Sequence, residues 1–501
     1  MEQNDLQLCV LALTNKNRAH TLRWRYYDGD HPIAFINPKI GEVVPNGVVF
    51  RKNWCQVVVD AKRNRLRIQT WNHSDKTIVS VLNETWKHTL KKTAHRIHLA
   101  ALATGEAYLV AWPDDGKTLR AYYHDPRQAH VIYDENDPDK ARVACKTWKG
   151  AVGQEPAWFL NLYYSDRIEH YASLGSEPQT HQAYRPYTRE GTTSNVEANE
   201  YQTIPVFHFR LDQRVCTGEL TLGVLSLQDA LNKLLNDMMV SSEFAAFPQR
   251  WGIGNWETGS TLPVGPGTTA TAAPSPQGDQ PVAFGAFPSA DPNNYLLPMN
   301  DMAAGIAVLS ATPKHFFEGQ GGAPSGEALQ AMESPLVKKV EDYQEILGET
   351  WTRVAAFCLK VQDQEVPVEE IECIWTDPHT VQPMSQALIH KANVEAGIPI
   401  TNQLRDEGWT EDDLDQLHED MNVESSMSAA EVPAVGAFPQ NIPENKRVAA
   451  STKAKDTLAA RAEPGMAKVM QATVDKGVAG MMESGALGKI MEKHAGVKAG
   501  Q

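Results

Sequence analysis

From Thr258 to Gly278 the chain carries no charged side chain, and helical periodicity frames this stretch on both sides. Upstream, Leu227, Leu231, Leu234, Leu235, Met238 and Phe244 fall on one broad apolar stripe from Gly223, which Pro248 ends. Downstream, a second helix is predicted from about Asn293 to Leu309, stopped by Pro313. A segment made mostly of Gly, Pro, Thr, Ala and Ser has too little apolar surface to build a core of its own. It forms small strands and turns, or waits for a neighbour to cover it. The chain is therefore constrained to present two helices around a small insertion.

Around that feature there is enough chain for two to four compact units in 501 residues. With 42% hydrophobic residues and 12 Trp, it is expected to fold around real cores. The six cysteines (9, 55, 145, 216, 358 and 373) form no C-x-x-C pair, which fits reduced thiols better than disulfides or zinc. No run approaches the ~20 apolar residues of a membrane helix. The start, Met1-Glu2-Gln3-Asn4-Asp5, lacks the basic region of a secretion signal. A net charge of −15 argues against indiscriminate coating of DNA, which needs clustered Lys and Arg. An acidic wall would instead repel phosphates and let a duplex slide.

The first 215 residues read as an α+β unit. A brief helix is suggested within residues 1–25 by Leu6, Leu8, Val10, Leu11 and Leu13, and the turn-rich Tyr26-Tyr27-Asp28-Gly29-Asp30-His31-Pro32 follows it. A helix through Trp54–Asp60 leads to a strand at Leu66–Thr70. Residues 76–102 are predicted helical, with Lys87, His88, Lys91, Lys92, His95 and Arg96 on the face opposite the apolar one. Ala107–Trp112 and Leu119–Tyr123 make a hairpin. Strands are expected at Ala129–Tyr133, Arg142–Trp148, Trp158–Tyr164, Arg167–Ala172 and Val206–Arg210, with a polar loop at 173–202.

After Pro313, the run Lys314-His315-Phe316-Phe317-Glu318-Gly319-Gln320-Gly321-Gly322-Ala323-Pro324 reads as a glycine-rich loop. Ser325 is a good N-cap for a long helix to about Val361, which Pro335 should kink. A strand at 371–377 and three short helices follow. Ser385 caps the first and Gly397 ends it; Thr401 caps the second, ending at Gly408; Thr410 and Asp413 open the third. Beyond about Val423 the chain reads as a flexible basic tail.

Four motifs invite a chemical reading, and each fails on geometry. Ala111-Trp112-Pro113-Asp114-Asp115-Gly116-Lys117-Thr118 is a loose Walker A match. Pro113 lacks an amide, two aspartates sit where phosphates would lie, and a strand follows where a helix is required. The acidic run Asp134–Asp139 places Asp139 and Cys145 where a calcium loop needs Gly and Glu. His88, His95 and His98 have no further ligand to complete a metal site, and lysines flank them. Gly322-Ala323-Pro324-Ser325-Gly326 has its serine one position late for a nucleophile elbow and no preceding strand. No catalytic constellation, cofactor site or metal site is expected.

What remains is an order of elements, and this order resembles the portal proteins of long-tailed phages, in the group that includes the portal of a Bacillus phage with headful packaging. Tyr26-Tyr27-Asp28-Gly29-Asp30-His31 is similar to the family's N-terminal tyrosine-glycine signature. Asn53-Trp54-Cys55 through Val59-Asp60 is similar to portals of actinobacterial phages, the nearest subgroup. Gly105-Glu106-Ala107-Tyr108, Asp125-Pro126, Leu227-Gln228-Asp229-Ala230-Leu231-Asn232, Ser325-Gly326-Glu327-Ala328-Leu329 and Trp375 with Asp377-Pro378 resemble its later segments. The resemblance covers roughly residues 20–422 and carries the fold expectation: α+β, multi-domain, with a wing, a two-helix stem, a small α/β clip, a long kinked helix and a helical crown.

By that resemblance the wing is 1–222 with the long helix and its completion at 325–384. The stem helices are 223–247 and 293–311, the clip 248–292, the tunnel loop 312–324, the crown 385–422 and the tail 423–501. The resemblance implies a ring, a dodecamer in the family, at one capsid vertex. It implies double-stranded DNA passing without sequence specificity, the terminase large subunit and then a head–tail adaptor as partners, and contacts to major capsid and scaffolding proteins. It places the protein in the virion, and in the host cytoplasm during assembly, with no membrane. In the tunnel loop, Lys314 and His315 are expected to touch phosphates while Phe316, Phe317, Gly319, Gly321 and Gly322 permit movement. Two departures stand out: the part before Tyr26-Tyr27 is short, so an N-terminal arm is expected to be missing, and residues after Val423 match nothing in the pattern. The rival readings are another capsid or head–tail connector protein, or a DNA-packaging enzyme, which would need intact Walker elements.

Overall fold

A computed structural model describes residues 2–32, 50–114, 118–189, 191–212, 214, 216–246, 250–253, 283–286, 291–317, 326–379, 383–406 and 414–419. The first helix, α1 (Glu2–Tyr27), is far longer than the brief helix expected. Leu6, Cys9, Val10 and Leu13 are buried at helical spacing against Val143, Cys145, Leu160 and Leu162 of a sheet. Beyond Leu13 the same face carries Lys16 and His20, so the helix continues where its apolar pattern stops.

Helix α2 (Trp54–Arg63) starts on Asn53, whose side chain accepts from the Gln56 amide, and leads to strand β1 (Ile68–Asn72). The predicted helix over 76–102 is one run in three parts: α3 (Lys76–Thr85), a π-turn (Trp86–Leu90) and α4 (Lys91–Thr104). Gly105, at φ +100°, closes it. Strands β2 (Glu106–Asp114) and β3 (Thr118–His124) form the expected hairpin, and β10 (Val206–Arg210) pairs with the free edge of β2.

A second antiparallel sheet runs β4 (Ala129–Tyr133), β5 (Ala141–Val152), β6 (Glu155–Tyr163), β7 (Arg167–Leu174). Within the stretch expected to be loop, β8 (Arg185–Pro186) and β9 (Val196–Ala198) both pair with β7. Tyr108, Val110, Ala129, Val131, Ala144, Tyr163, Ile168 and Val206 pack between the two sheets.

Helices α5 (Leu222–Ala246) and α6 (Asn293–Ser310) pack as an antiparallel pair. Gly223, at the start of α5, faces Leu309 at the end of α6, and Gly305 of α6 faces Leu227 of α5. Between them, β11 (Arg250–Ile253) and β12 (Ala283–Ala286) pair antiparallel, Arg250 opposite Ala286. The ends of the insertion are therefore tied together at its base. Its charge-free stretch lies outside the described residues.

The long helix α7 (Gly326–Val361) runs through Pro335 as one element. Leu336, Val340, Leu347, Trp351, Val354 and Cys358 are buried in the main core with α2, α4, β2 and β10. Trp351 stands edge-on to Trp86, which stands edge-on to Trp71, and its indole nitrogen donates to His98 Nε2 at 2.9 Å. Truncating a side chain so placed costs about 3–5 kcal/mol. Strand β13 (Glu372–Trp375) returns to pair with β1, Trp71 opposite Cys373. Helix α8 (Pro383–Glu395) begins two residues before the expected cap Ser385, and α9 (Ile400–Asp406) one before Thr401. Gly397 takes φ +92° just past α8, as expected of a helix end. The third short helix contributes only residues 414–419, and the tail from 420 lies outside the described residues.

Candidate functional site

The two helices that bracket the insertion return to the body of the fold at one junction. α6 ends with Ala311 at φ 51°, a left-handed cap whose amide bonds back to the helix, and Pro313 prevents continuation. The chain then makes a single 3₁₀ turn, Lys314–Phe316. Phe317 is buried, its ring edge-on to Trp54 of α2 at 5.2 Å. Phe316 packs against the main core, with the Arg65 guanidinium 5.9 Å from its ring. Arg65 donates to Glu333 of α7 at 2.8 Å, and His315 Nε2 lies 3.4 Å from the other Glu333 oxygen. Lys314 is exposed.

Phe316 and Phe317, of which movement was expected, are instead packed against the body of the fold. They anchor the start of the loop and do not loosen it. His315 is tied to α7. Gly319, Gly321 and Gly322, and the cap Ser325, lie outside the described residues.

Behind the turn lies a buried charge joint that the sequence reading passed over. Glu219, three residues before α5, is fully buried with its carboxylate between two lysines. Lys62 of α2 lies at 3.2 Å and Lys339 of α7 at 2.9 Å, and the Tyr343 hydroxyl donates to the same carboxylate. Lys62 also donates to the Thr312 hydroxyl at 2.7 Å, which accepts from Ser310 at 2.8 Å. One carboxylate therefore ties α2, the entry to α5, the exit of α6 and α7 together.

The strap that carries Glu219 is held close. A Cβ on Gly218 would lie 2.2 Å from the Leu102 carbonyl oxygen, and one on Gly105 would lie 2.5 Å from the Cys216 carbonyl carbon. Burial pushes the Lys62 ammonium down to about 8; Glu219 opposes that fall and Lys339 adds to it. Burial, then Glu219, raises the Tyr343 hydroxyl well above its usual range. With its oxygens committed to two ammoniums and a phenol, Glu219 is poorly placed to abstract a proton. The arrangement fixes the position of the elements that meet at it. A signal for Lys62 existed: it follows Cys55, Val58 and Val59 at the spacing of a buried stripe.

The Walker-like run crosses the β2–β3 hairpin, with Asp114 opposite Thr118 and the turn 115–117 outside the described residues. The acidic run closes on itself: Asp134 accepts from the Asn136 amide and Asp137 from the Asp139 amide. His98 is buried between Leu66 O and Trp351 and pushed down to about 4 by burial, whereas His88 and His95 are exposed. Among the described residues no group of three His, Cys, Asp or Glu side chains is placed to hold a metal ion. No helix among them is long and apolar enough to cross a membrane.

In outline, the α5–α6 pair brackets an insertion and the long helix α7 follows the turn. Residues 15–428 match the family described as "Phage portal protein, SPP1 Gp6-like", and the chain belongs to that family, a structural one. The portal protein of Mycobacterium phage D29 is 28% identical over 183 residues, 34% of this chain and 37% of that one. The portal protein of Mycobacterium phage L5 matches with the same figures. The matched stretch therefore spans little more than a third of those curated relatives. Two solved structures are also similar. One, the virion of a native gene transfer agent particle, has 12% identity over 68% of this chain and 83% of its own, with a TM-score of 0.34. The other, the neck of an empty gene transfer agent particle, has 14% identity over 71% and 88%, with a TM-score of 0.36.

Proposed function

We propose that this chain is the subunit of a ring-shaped channel at one capsid vertex, through which double-stranded DNA is packaged and later ejected. One observation carries the ring. Helix α6 has a single charged residue, Asp301, yet leaves Leu297 68% exposed, Val308 81% and Leu309 55%, and Leu222 at the start of α5 is 79% exposed. A helix this apolar is normally covered on most sides. Identical neighbours in a closed, head-to-tail ring would cover it.

In this reading the regions keep the boundaries expected from the sequence. Wing 1–222 and 325–384 surround a stem of 223–247 and 293–311, the clip 248–292 docks the terminase large subunit and then the head–tail adaptor, and 385–422 is the crown. Major capsid and scaffolding proteins are further partners, and assembly takes place in the host cytoplasm before the protein resides in the virion. The chain has no catalytic role. Lys314, exposed on an anchored turn, meets DNA phosphates in transit, with the loop to Pro324 beyond it. Negative-stain imaging of the purified chain tests the ring: a closed particle with a central hole is expected. Persistent monomers with Leu297→Ser and Val308→Ser leaving the sedimentation profile unchanged would overturn it.

A further inference from the structure

The basic face of the run from α3 to α4 takes no part in the joint around Glu219. Lys87, Lys91 and His95 form one row and His88, Lys92 and Arg96 the next, each stepping by four residues, and all six are exposed. The stripe is about 14 Å long at the rise of a helix. The π-turn at its start presses Trp86 and Leu90 into the core and leaves Lys87 and His88 outside.

Little counter-charge faces the stripe. Glu84 reaches only His88, at 3.9 Å with both groups exposed. Asp60 is taken by Arg63 at 3.2 Å and by the Tyr27 hydroxyl. Lys87, Lys91, Lys92, Arg96 and the exposed Arg67 make no ion pair among the described residues. Partial burial, then Arg63, lowers the His95 pKa; Asp60 opposes the fall and Arg67 adds to it. Within a chain of net charge −15, this is a local reversal of sign.

The composition of the face selects the partner. Protein interfaces set an apolar or aromatic centre inside a polar rim and are depleted in lysine. Between residues 76 and 104 no large apolar side chain is strongly exposed. A lysine-rich face without an apolar centre fits a solvated polyanion with regularly spaced charges. We propose that the face formed by Lys87, Lys91, Lys92 and Arg96 is a sequence-independent contact for the phosphate backbone of duplex DNA, outside the turn at Lys314. The inference adds a second contact to the portal reading and rests on it only for the identity of the polymer.

Binding of the full chain to a labelled duplex of about 30 base pairs, followed by fluorescence anisotropy across a salt series, tests it. With about four phosphates neutralised, the logarithm of the affinity should fall with log salt at a slope of about −3.6. K87E/K91E/K92E/R96E should lose about 100-fold in affinity at low salt, whereas K149E should lose little. K87Q/K91Q/K92Q/R96Q should lower the slope by about 1 for each cation removed, and it decides the matter if the glutamate variant does not fold. Wild-type affinity in the glutamine variant, no binding by the wild type, or equal competition by polyglutamate at matched charge would overturn the proposal. Imaging the same samples separates the two readings. Rings without duplex binding sink this inference alone, and duplex binding through the stripe without rings sinks the portal reading alone.

Discussion

Two buried carboxylates organise this chain, and they are built from different partners. Glu106, at the start of β2, holds α1 to the sheets: Lys16 Nζ at 2.9 Å and His20 Nε2 at 2.8 Å meet one oxygen, and Tyr108 at 2.6 Å and His208 at 3.0 Å meet the other. Glu219 holds the bracketing helices to the long helix and is met by two lysines and a phenol. Burial raises the Glu106 pKa, but the bonds from His20 and His208 and the charge of Lys16 outweigh it and hold the group ionised. The difference lies in what each joint answers to. Burial lowers the His208 pKa at the first joint, so acid bears on it, whereas the second holds a buried Lys62 that gives up its proton near pH 8.

The largest effect is expected at the second joint. Glu219→Gln leaves Lys62 buried without a counter-charge and should cost about 3–5 kcal/mol in denaturant unfolding near pH 7. The cost should shrink above pH 8, where Lys62 sheds its proton. A loss under about 1 kcal/mol would mean that the joint is not what holds the bracketing helices. Glu106→Gln should cost less, about 2–3 kcal/mol, because Lys16 keeps some contact with water, its side chain being 14% exposed. Equal losses at the two positions would erase the contrast.

Acid comes next in size. His130, facing Lys16, is pushed down to about 3, first by burial and then by Lys16, and burial also lowers His208 despite Glu106. Both are neutral in the fold, so the unfolded chain binds more protons below 6.5. Stability should therefore fall as pH drops from 6.5 toward 3, and His130→Asn should flatten that fall while Lys62→Met leaves it unchanged. The smallest effect is that of Lys62→Met at pH 7, within about 1 kcal/mol, since an apolar chain of similar length replaces a buried charge and Glu219 keeps Lys339. The same variant should abolish the rise in stability between pH 8 and 10, where the wild-type fold has lost a proton that the unfolded chain still holds. A rise preserved in the variant would assign it to another group.

The contrast also explains what could be read from the sequence. Strands β4 and β10 and the α5–α6 pair were legible because alternation and the helical period report burial directly. α1 was underestimated because its inward face passes from Leu13 to Lys16 and His20, and charged residues there look like a surface until Glu106 is seen opposite them. Lys62 hid in the same way at the end of an apolar stripe. The β1–β13 pair joins segments some 300 residues apart, and no local pattern announces such a partner. Phe317 read as part of a mobile loop because glycines follow it, whereas Trp54 decides its place. Polar pairing and long-range contact, more than periodicity, were the illegible parts.

Negative-stain imaging with averaging of the purified full-length chain addresses the central claim most directly. Closed rings with a central hole wide enough for a duplex are expected, in which the apolar faces of α6 are covered by neighbours. Shells, sheets or a population that stays monomeric at every concentration would contradict it.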